Sequence, residues 1–438
     1  YEVHWRDWSS DVCSSDLARR PAALDPRALA ARFAAIRART VALCAPLTPE
    51  DSVVQPMADA SPAKWHLGHT TWFFETFVLD GAPFDPAFAF LFNSYYEAAG
   101  PRVERPRRGL LTRPGLERVH AYRAHVDRRV ADALAADQLP DAALARLEVG
   151  LHHEQQHQEL ILTDLKVTLG TQPLAPAYRA LPRAAPSTPA PLGWQTFAGG
   201  VVELGAGPDG FAFDNERPRH RALVGAYALA TRPIANAEVL AFIADGGYRD
   251  HRLWLSDGWH TVRAEAWDAP MYWRRSDGGF ALYDLAGVRP VDPAETACHL
   301  SYYEADAIAH WLGARLPTEV EWEHAAALAG DDVTGAQLAG ANLADADRLH
   351  PDRAAPDGLA QVLGDVWEWT ASAYLPYPGF RPLPGALGEY NGKFMSGQHV
   401  LRGGSCFTPA DHLRASYRNF FPPAARWQMT GIRVARDA

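Results

Sequence analysis

The chain has 438 residues, 47% of them hydrophobic and 21% charged, with a formal net charge of −10. That length allows two or three domains, and that balance is the one of a folded globular chain, not of a disordered one. The acidic balance argues against nucleic acid as a partner, and no apolar run is long enough to predict a membrane span. The four cysteines, Cys13, Cys44, Cys298 and Cys406, form no CxxC pair. With no signal-peptide pattern at the start, this predicts a reducing, cytoplasmic setting.

Residues 1–24 are read as a disordered or foreign segment. The stretch YEVHWRDWSSDVCSSDL at 1–17 contrasts with the Ala/Arg/Pro-rich text after it, so it is set aside from the fold, Cys13 included. Residues 25–170 predict a helical domain. A helix from about Asp25 to Cys44 carries Leu29, Phe33, Ile36 and Val41 near helical spacing. Ser61-Pro62 predicts the start of a second, with the serine as its cap, carrying Trp65, Leu67, Trp72, Phe73 and Phe77. Residues 115–135 and 141–169 predict a third and a fourth, which together suggest an up-and-down bundle. The 80–114 connection is long and rich in aromatic residues and arginine, a length usually kept for function.

Residues 171–196 are rich in proline and alanine and predict a linker. From 197 to 438 glycine, tryptophan and tyrosine abound, apolar runs are short, and helices are predicted only near 236–245, 302–312 and 318–329. The expectation is an irregular α+β domain.

The chemistry-bearing run is HHEQQHQE at 152–159. His153 and His157 are four residues apart, which on a helix puts both imidazoles on one face, one turn apart. Glu159 points elsewhere and is the weaker ligand. A third donor must come from another helix, and WHLGH at 65–69 offers His66 or His69. The bland alternative for an HxxxH is a solvated polar helix face, which Gln155, Gln156 and Gln158 would suit. Three imidazoles without a thiolate suit Zn, Fe, Cu or Ni, and composition does not choose among them.

WHLGHTTWFFETF together with HHEQQHQE resembles the DinB-like bundle of the sulfoxide synthases of ergothioneine biosynthesis. The second half resembles the formylglycine-generating-enzyme fold, a C-type-lectin-like architecture. It does so through RLPTEVEWEHAA (315–326), GDVWEWT (364–370), LRGGSCF (401–407) and GIRVAR (431–436). The resemblance runs from about residue 25 to the end. It implies a DinB-like four-helix bundle at 25–170, followed by a lectin-like domain at 197–438. It further implies Fe(II) held by His69, His153 and His157, with O2 as co-substrate. The implied substrates are hercynine and L-cysteine, joined to give hercynylcysteine sulfoxide.

The same resemblance implies roles for further residues. NSYYEA (93–98) looks like the tyrosine pair of the cysteine-using branch, with Tyr95 the expected proton donor and Tyr96 beside it. A phenol suits that task because its high pKa keeps it protonated until oxygen reduction demands the proton. RNFFPPAARWQ (418–428) implies that Asn419, Phe420 and Phe421 line the pocket for a betaine, whose trimethylammonium group is drawn to aromatic faces. Gln156 is implied to help place that substrate. Arg105, Arg107 and Arg108, and more weakly Arg426, are candidates to clamp the cysteine carboxylate. Trp367 and Trp369 are expected to pack the core. Cys298 and Cys406 stand apart in sequence, so formylglycine-generating activity is not expected. The alternatives within the family are γ-glutamylcysteine or a selenosugar as donor. The alternatives outside it are a zinc-dependent thiol transferase on a DinB-like bundle and a lectin-like binding module. The related enzyme that uses histidine itself usually carries a methyltransferase domain, and no glycine-rich segment of that kind is seen here.

Overall fold

The computed structural model describes residues 25–182, 187–329, 338, 340–354 and 358–438. Residues 1–24, with Cys13, and part of the expected linker (183–186) lie outside the described residues. Helix α1 (Pro26–Cys44) begins where Asp25 accepts the Arg27 N–H at 3.0 Å. Leu29, Phe33 and Ile36 are buried as their spacing predicts, but Val41 is not. The core stripe runs 29-33-36-40, so the inward position falls to Thr40 and Val41 turns to solvent, 38% exposed. Helix α2 (Ala63–Phe77) does not use Ser61 as its cap. Pro62 is its boundary residue, and Ser61 instead donates its backbone N–H to Asp164 at 2.8 Å.

The long connection holds a short helix, α3 (Ala87–Phe92), and is followed by α4 (Leu116–Ala135) and α5 (Asp141–Thr171). Helices α1 and α2 each pack against both α4 and α5. Consecutive helices therefore face each other across the bundle, so the chain order departs from a simple up-and-down arrangement. The eighteen-residue stretch 45–62 has ample reach for that diagonal.

The bundle centre is unusually polar. Glu154 is fully buried and is met by Arg37 Nη1 at 2.8 Å, by Arg123, and by the Thr40 hydroxyl at 2.6 Å. Burial alone would raise its pKa, but the two guanidiniums and the hydroxyl hold it down to about 2. The start of the expected linker, residues 172–182, does not hang free, because the Tyr178 hydroxyl donates to the Leu43 carbonyl at 2.6 Å.

The second domain is α+β. It runs through β1 (Trp194–Phe197), β2 (Gly200–Leu204), β3 (His220–Val224), β4 (Tyr227–Ala230), α6 (Asn236–Ala244) and α7 (Ser256–Ala264). There follow β5 (Trp273–Ser276), β6 (Gly279–Asp284), β7 (Gly287–Pro290), α8 (Tyr302–Trp311) and α9 (Glu319–Ala329). The last strands are β8 (Trp367–Ala373), β9 (His399–Arg402), β10 (Asn419–Phe421), β11 (Thr430–Gly431) and β12 (Ala435–Asp437). Helix α7 was not expected from the sequence. Strands β1 and β12 both pair with β4, so the two ends of the domain meet in one sheet, as a lectin-like fold requires. A second sheet has the order β10-β9-β8-β11, with β10 at its edge.

Its four signature motifs are halves of buried ion pairs. Glu319 takes Arg418 at 3.0 Å, Glu323 takes Arg402, and Glu368 takes Arg433 at 2.8 Å. Arg402, Arg418 and Arg433 are essentially inaccessible, so each carboxylate is needed to neutralise a charge already taken from water. Trp369 packs the core and donates to the Leu300 carbonyl at 2.8 Å.

Candidate metal centre

Helix α5 is largely buried around the octet 152–159, with Gln156 and Glu159 half-buried at the cavity, and its residues divide among several neighbours. Glu154 and Gln158 turn into the bundle, where Gln158 donates to the Ile36 carbonyl at 2.9 Å. His152 and Gln155 reach the lectin-like domain, through His412 at 2.9 Å and through Asp411. Glu159 also faces that domain. It is not a metal ligand, because it accepts from Trp367 Nε1 at 2.7 Å and from Ser405 and Thr408 at 2.8 Å. Trp367, expected only to pack the core, thus also ties the two domains together.

His153 and His157 meet His69 of α2. Donor atoms of the three imidazoles lie within 4.8 Å of one another. His69 Nδ1 bonds the Phe92 carbonyl at 2.6 Å, and His157 Nδ1 bonds His66 Nδ1 at 2.8 Å. Both residues are therefore left with Nε2 for a ligand, and His69 Nε2 stands 3.1 Å from His153 Nε2. His153 Nδ1 is buried without a partner. Burial, reinforced by the neighbouring imidazoles, pushes His69 and His157 well below the usual histidine range. Burial, partly countered by Glu154, pushes His153 down to about 3. The result is three neutral imidazoles, with bare Nε2 lone pairs on His69 and His157 beside His153 Nε2. That set fits a divalent transition-metal ion and leaves one side open for exogenous ligands. Among the described residues it is the only such group.

The open side is a cavity of about 300 Å³ between the two domains. His157 and His66 reach its wall, with His69 and His153 one layer deeper. The cavity brings together Tyr95, Arg105, Arg108, Gln156, Asn419, Phe420 and Phe421. Arg107 and Arg426 are not on it. Arg107 is exposed on the outer side of its turn, and Arg426 is taken up by Glu304 at 3.0 Å and by the Trp267 ring. Tyr96 is not on the wall either. It lies behind Tyr95, stacked on it at 4.8 Å, among Trp72, Phe73 and Phe77. Burial raises both phenols above their ordinary range, with Arg105 and Arg108 partly countering this at Tyr95.

Arg108 is buried with no carboxylate partner in hydrogen-bond contact. Its guanidinium lies 3.4 Å over Trp65, whose ring stacks on His69 at 4.6 Å, and it donates to the Ser61 and Ser94 hydroxyls at 2.9 and 3.0 Å. Burial, with Arg105 and Arg102 nearby, pushes its pKa down, the condition a bound anion relieves. Gln156 is clamped between two phenols missed at the sequence level. Tyr390 donates to its Oε1, and its Nε2 reaches the Tyr417 oxygen at 2.5 Å. Asp59, Phe394 and Trp427 on the wall were missed too. Asp59 and Phe394 come from segments with no local signal, so only the fold assembles them, whereas Trp427 lies within the RNFFPPAARWQ motif and was passed over there. Glu389 and Lys393 fasten the tyrosine loop to the second domain through the Glu97 N–H, at 3.0 Å, and the Tyr95 carbonyl.

Comparison with known proteins agrees with this architecture. Residues 188–438 match the profile of the sulfatase-modifying factor enzyme 1-like domain, and residues 32–161 match that of the DinB superfamily. Hercynine oxygenase of Mycolicibacterium thermoresistibile is 38% identical over 407 residues, 86% of this chain and 87% of its own. Hercynine oxygenase of Mycobacterium tuberculosis is 36% identical, over 94% of this chain and 99% of its own. The formylglycine-generating enzyme of Streptomyces coelicolor is 31% identical over 60% of this chain and 95% of its own. Similarity that spans both domains at once, and almost the full length of the oxygenases, is the stronger link, and the chain belongs to the hercynine oxygenase family.

Proposed function

We propose that this protein is an O2-dependent, non-haem iron sulfoxide synthase of ergothioneine biosynthesis, joining hercynine to L-cysteine. The balance is one thiol S–H, one imidazole C2–H and one O2 giving the C–S bond, the sulfoxide oxygen and one water. The observation that carries this reading is the three-histidine group at the edge of a cavity whose far wall is the Asn419–Phe421 strand. His69, His153 and His157 would hold Fe(II), which when bound activates O2 and brings imidazole and thiolate to a common point.

The chain's own groups supply the rest. Phe420, Phe421 and Trp427 offer ring faces to the trimethylammonium group, and Gln156, immobilised by Tyr390 and Tyr417, orients the betaine. Arg108 takes the cysteine carboxylate, with Arg105 at the rim, and Asp59 is placed to take the ammonium group. The anion site lies one indole ring away from His69. That short reach suits a cysteinyl carboxylate, and free cysteine is favoured over γ-glutamylcysteine because only free cysteine keeps an ammonium group beside that carboxylate for Asp59, the nitrogen being acylated in the dipeptide. Tyr95 lines the cavity with its proton held by burial, and its hydroxyl would deliver that proton to the oxygen that leaves as water.

The test is aerobic turnover of Fe(II)-loaded protein with hercynine and a donor panel of cysteine, γ-glutamylcysteine and a selenosugar, read by mass spectrometry. Hercynylcysteine sulfoxide from cysteine is expected. Product from another donor alone would reassign the donor, and no O2 consumption with any donor would overturn the reading. Metal analysis after anaerobic loading separates it from a zinc thiol transferase.

A further inference from the structure

His66 is left over by the three-histidine set, yet it is 2% exposed and sits between a metal-facing residue and a carboxylate. Its Nδ1 lies 2.8 Å from His157 Nδ1, and its Nε2 lies 3.1 Å from Asp164 Oδ2. Asp164 Oδ2 also accepts the Ser61 N–H at 2.8 Å, so the carboxylate is held from a second direction. His157 and Asp164 are seven residues apart on α5, two turns along one face, and His66 bridges them from α2.

The proton positions in this chain follow from donors and acceptors alone. A carboxylate only accepts, so His66 must carry its proton on Nε2. In the neutral imidazole His66 Nδ1 is then a bare lone pair and can only accept, so His157 must carry its proton on Nδ1. His157 Nε2 is then bare, as a metal-facing nitrogen has to be. Reversing His66 would put its Nε2 lone pair against the carboxylate. It would also put an N–H against His157 Nδ1 and drive the His157 proton onto Nε2, where it blocks coordination.

We infer that His66 and Asp164 are positioning residues of the metal centre, fixing the tautomer and ring orientation of His157 so that its Nε2 faces the ion. The inference rests on the reading that the three histidines hold a metal. Outer partners of this kind are worth 10–100-fold in metal affinity. The sequence offered His66 and His69 as rivals for one ligand position, and the fold gives them separate tasks. Ser61 extends the same chain to the buried Arg108, whose Nη1 it accepts at 2.9 Å.

The experiment compares wild type with His66→Phe, which fills the space but cannot accept, His66→Gln, whose amide oxygen can, and Asp164→Ala, which removes the acceptor behind His66. Co(II) affinity is measured by chelator competition, the Co(II) absorption bands report ligand geometry, and thermal melting of the metal-free proteins reports folding. Long-range proton–nitrogen NMR of histidine-labelled metal-free protein reads the His157 tautomer. The expected result is an Nδ1–H tautomer in wild type. His66→Phe and Asp164→Ala should bind Co(II) about 10–100-fold more weakly with shifted bands, and His66→Gln should recover most of the loss. Wild-type affinity and bands in His66→Phe would overturn the assignment. So would equal losses in the Phe and Gln variants tracking a collapse in melting, which would make His66 a packing residue. A wild-type protein that binds no divalent ion would overturn the three-histidine reading itself, a different and recognisable outcome.

Discussion

Glu154 and Glu159 stand five residues apart on one helix, Glu154 buried and Glu159 half-buried, and nothing in their local sequence tells them apart. Glu154 neutralises two guanidiniums inside the bundle, whereas Glu159 has no cation and is held by three neutral donors from the other domain. Their pKa values move in opposite directions for that reason: Glu154 down to about 2, Glu159 upward through burial. Glu154→Ala would leave Arg123 buried without a carboxylate partner and Arg37 with Asp127 alone, at 2.6 Å, a loss of about 3–5 kcal/mol. It should appear as a large drop in the denaturant midpoint of the metal-free protein, and a loss under 1 kcal/mol would refute the account. Arginines divide in the same way. RPRRG presents three similar side chains, and only the path of its turn buries Arg108 while leaving Arg107 in solvent. Arg108→Ala should raise the apparent KM for cysteine strongly while Arg107→Ala leaves it unchanged, as steady-state O2 consumption would read.

At the scale of elements, α5 serves as one wall of the bundle and as the dock for the second domain. Its helical extent and its HxxxH face were legible, because a 3.6-residue period survives in the sequence. Which of its other faces met which partner was not, since a helix buried on most sides carries no polar stripe to orient it. Glu159→Ala would orphan the Trp367, Ser405 and Thr408 donors, at about 1–3 kcal/mol each where water cannot reach them. Faster hydrogen exchange is expected in residues 403–408 while the α1–α4 contact stays protected. Uniform protection would refute that lock. Strand β10 shows the converse. The NFF triplet is only three residues long and would be unremarkable alone, but as the sheet edge pinned by the neighbouring Arg418–Glu319 pair it becomes the cavity wall. Phe420→Ala should weaken hercynine binding by the lost ring–cation attraction, roughly 0.5–2 kcal/mol. Binding titrations with hercynine and with histidine, which lacks the methyl groups, would resolve it, because only hercynine should be affected.

At the scale of the whole molecule, the shared interior makes the protein acid-sensitive. His69, His153 and His157, and His152 with His412 at the domain boundary, are all driven neutral mainly by burial. Their folded pKa values lie below the ordinary unfolded value of about 6.5. Above that pH both states are neutral and stability is unaffected. Below it only the unfolded chain takes up protons, so stability falls and goes on falling toward about pH 3 for His153. The melting temperature of metal-free protein should be level from pH 8 to 7 and drop steeply below about 6.5, and a flat profile to pH 5 would contradict the neutral cluster. The sequence by itself determined the two domains, the four bundle helices and the His153–His157 pair, because periodicity, composition and helical spacing are local properties. Its motifs also resembled a family strongly enough to choose His69 over His66 and to point at Tyr95 and Asn419–Phe421. Only the tertiary structure decided that Arg108 and not Arg107 or Arg426 meets the cavity, that Glu159 locks the domains, and that His66 leans on Asp164. Those assignments join residues roughly 50 to 250 positions apart, and such pairings are set by which buried donors and charges must find partners once the chain is packed.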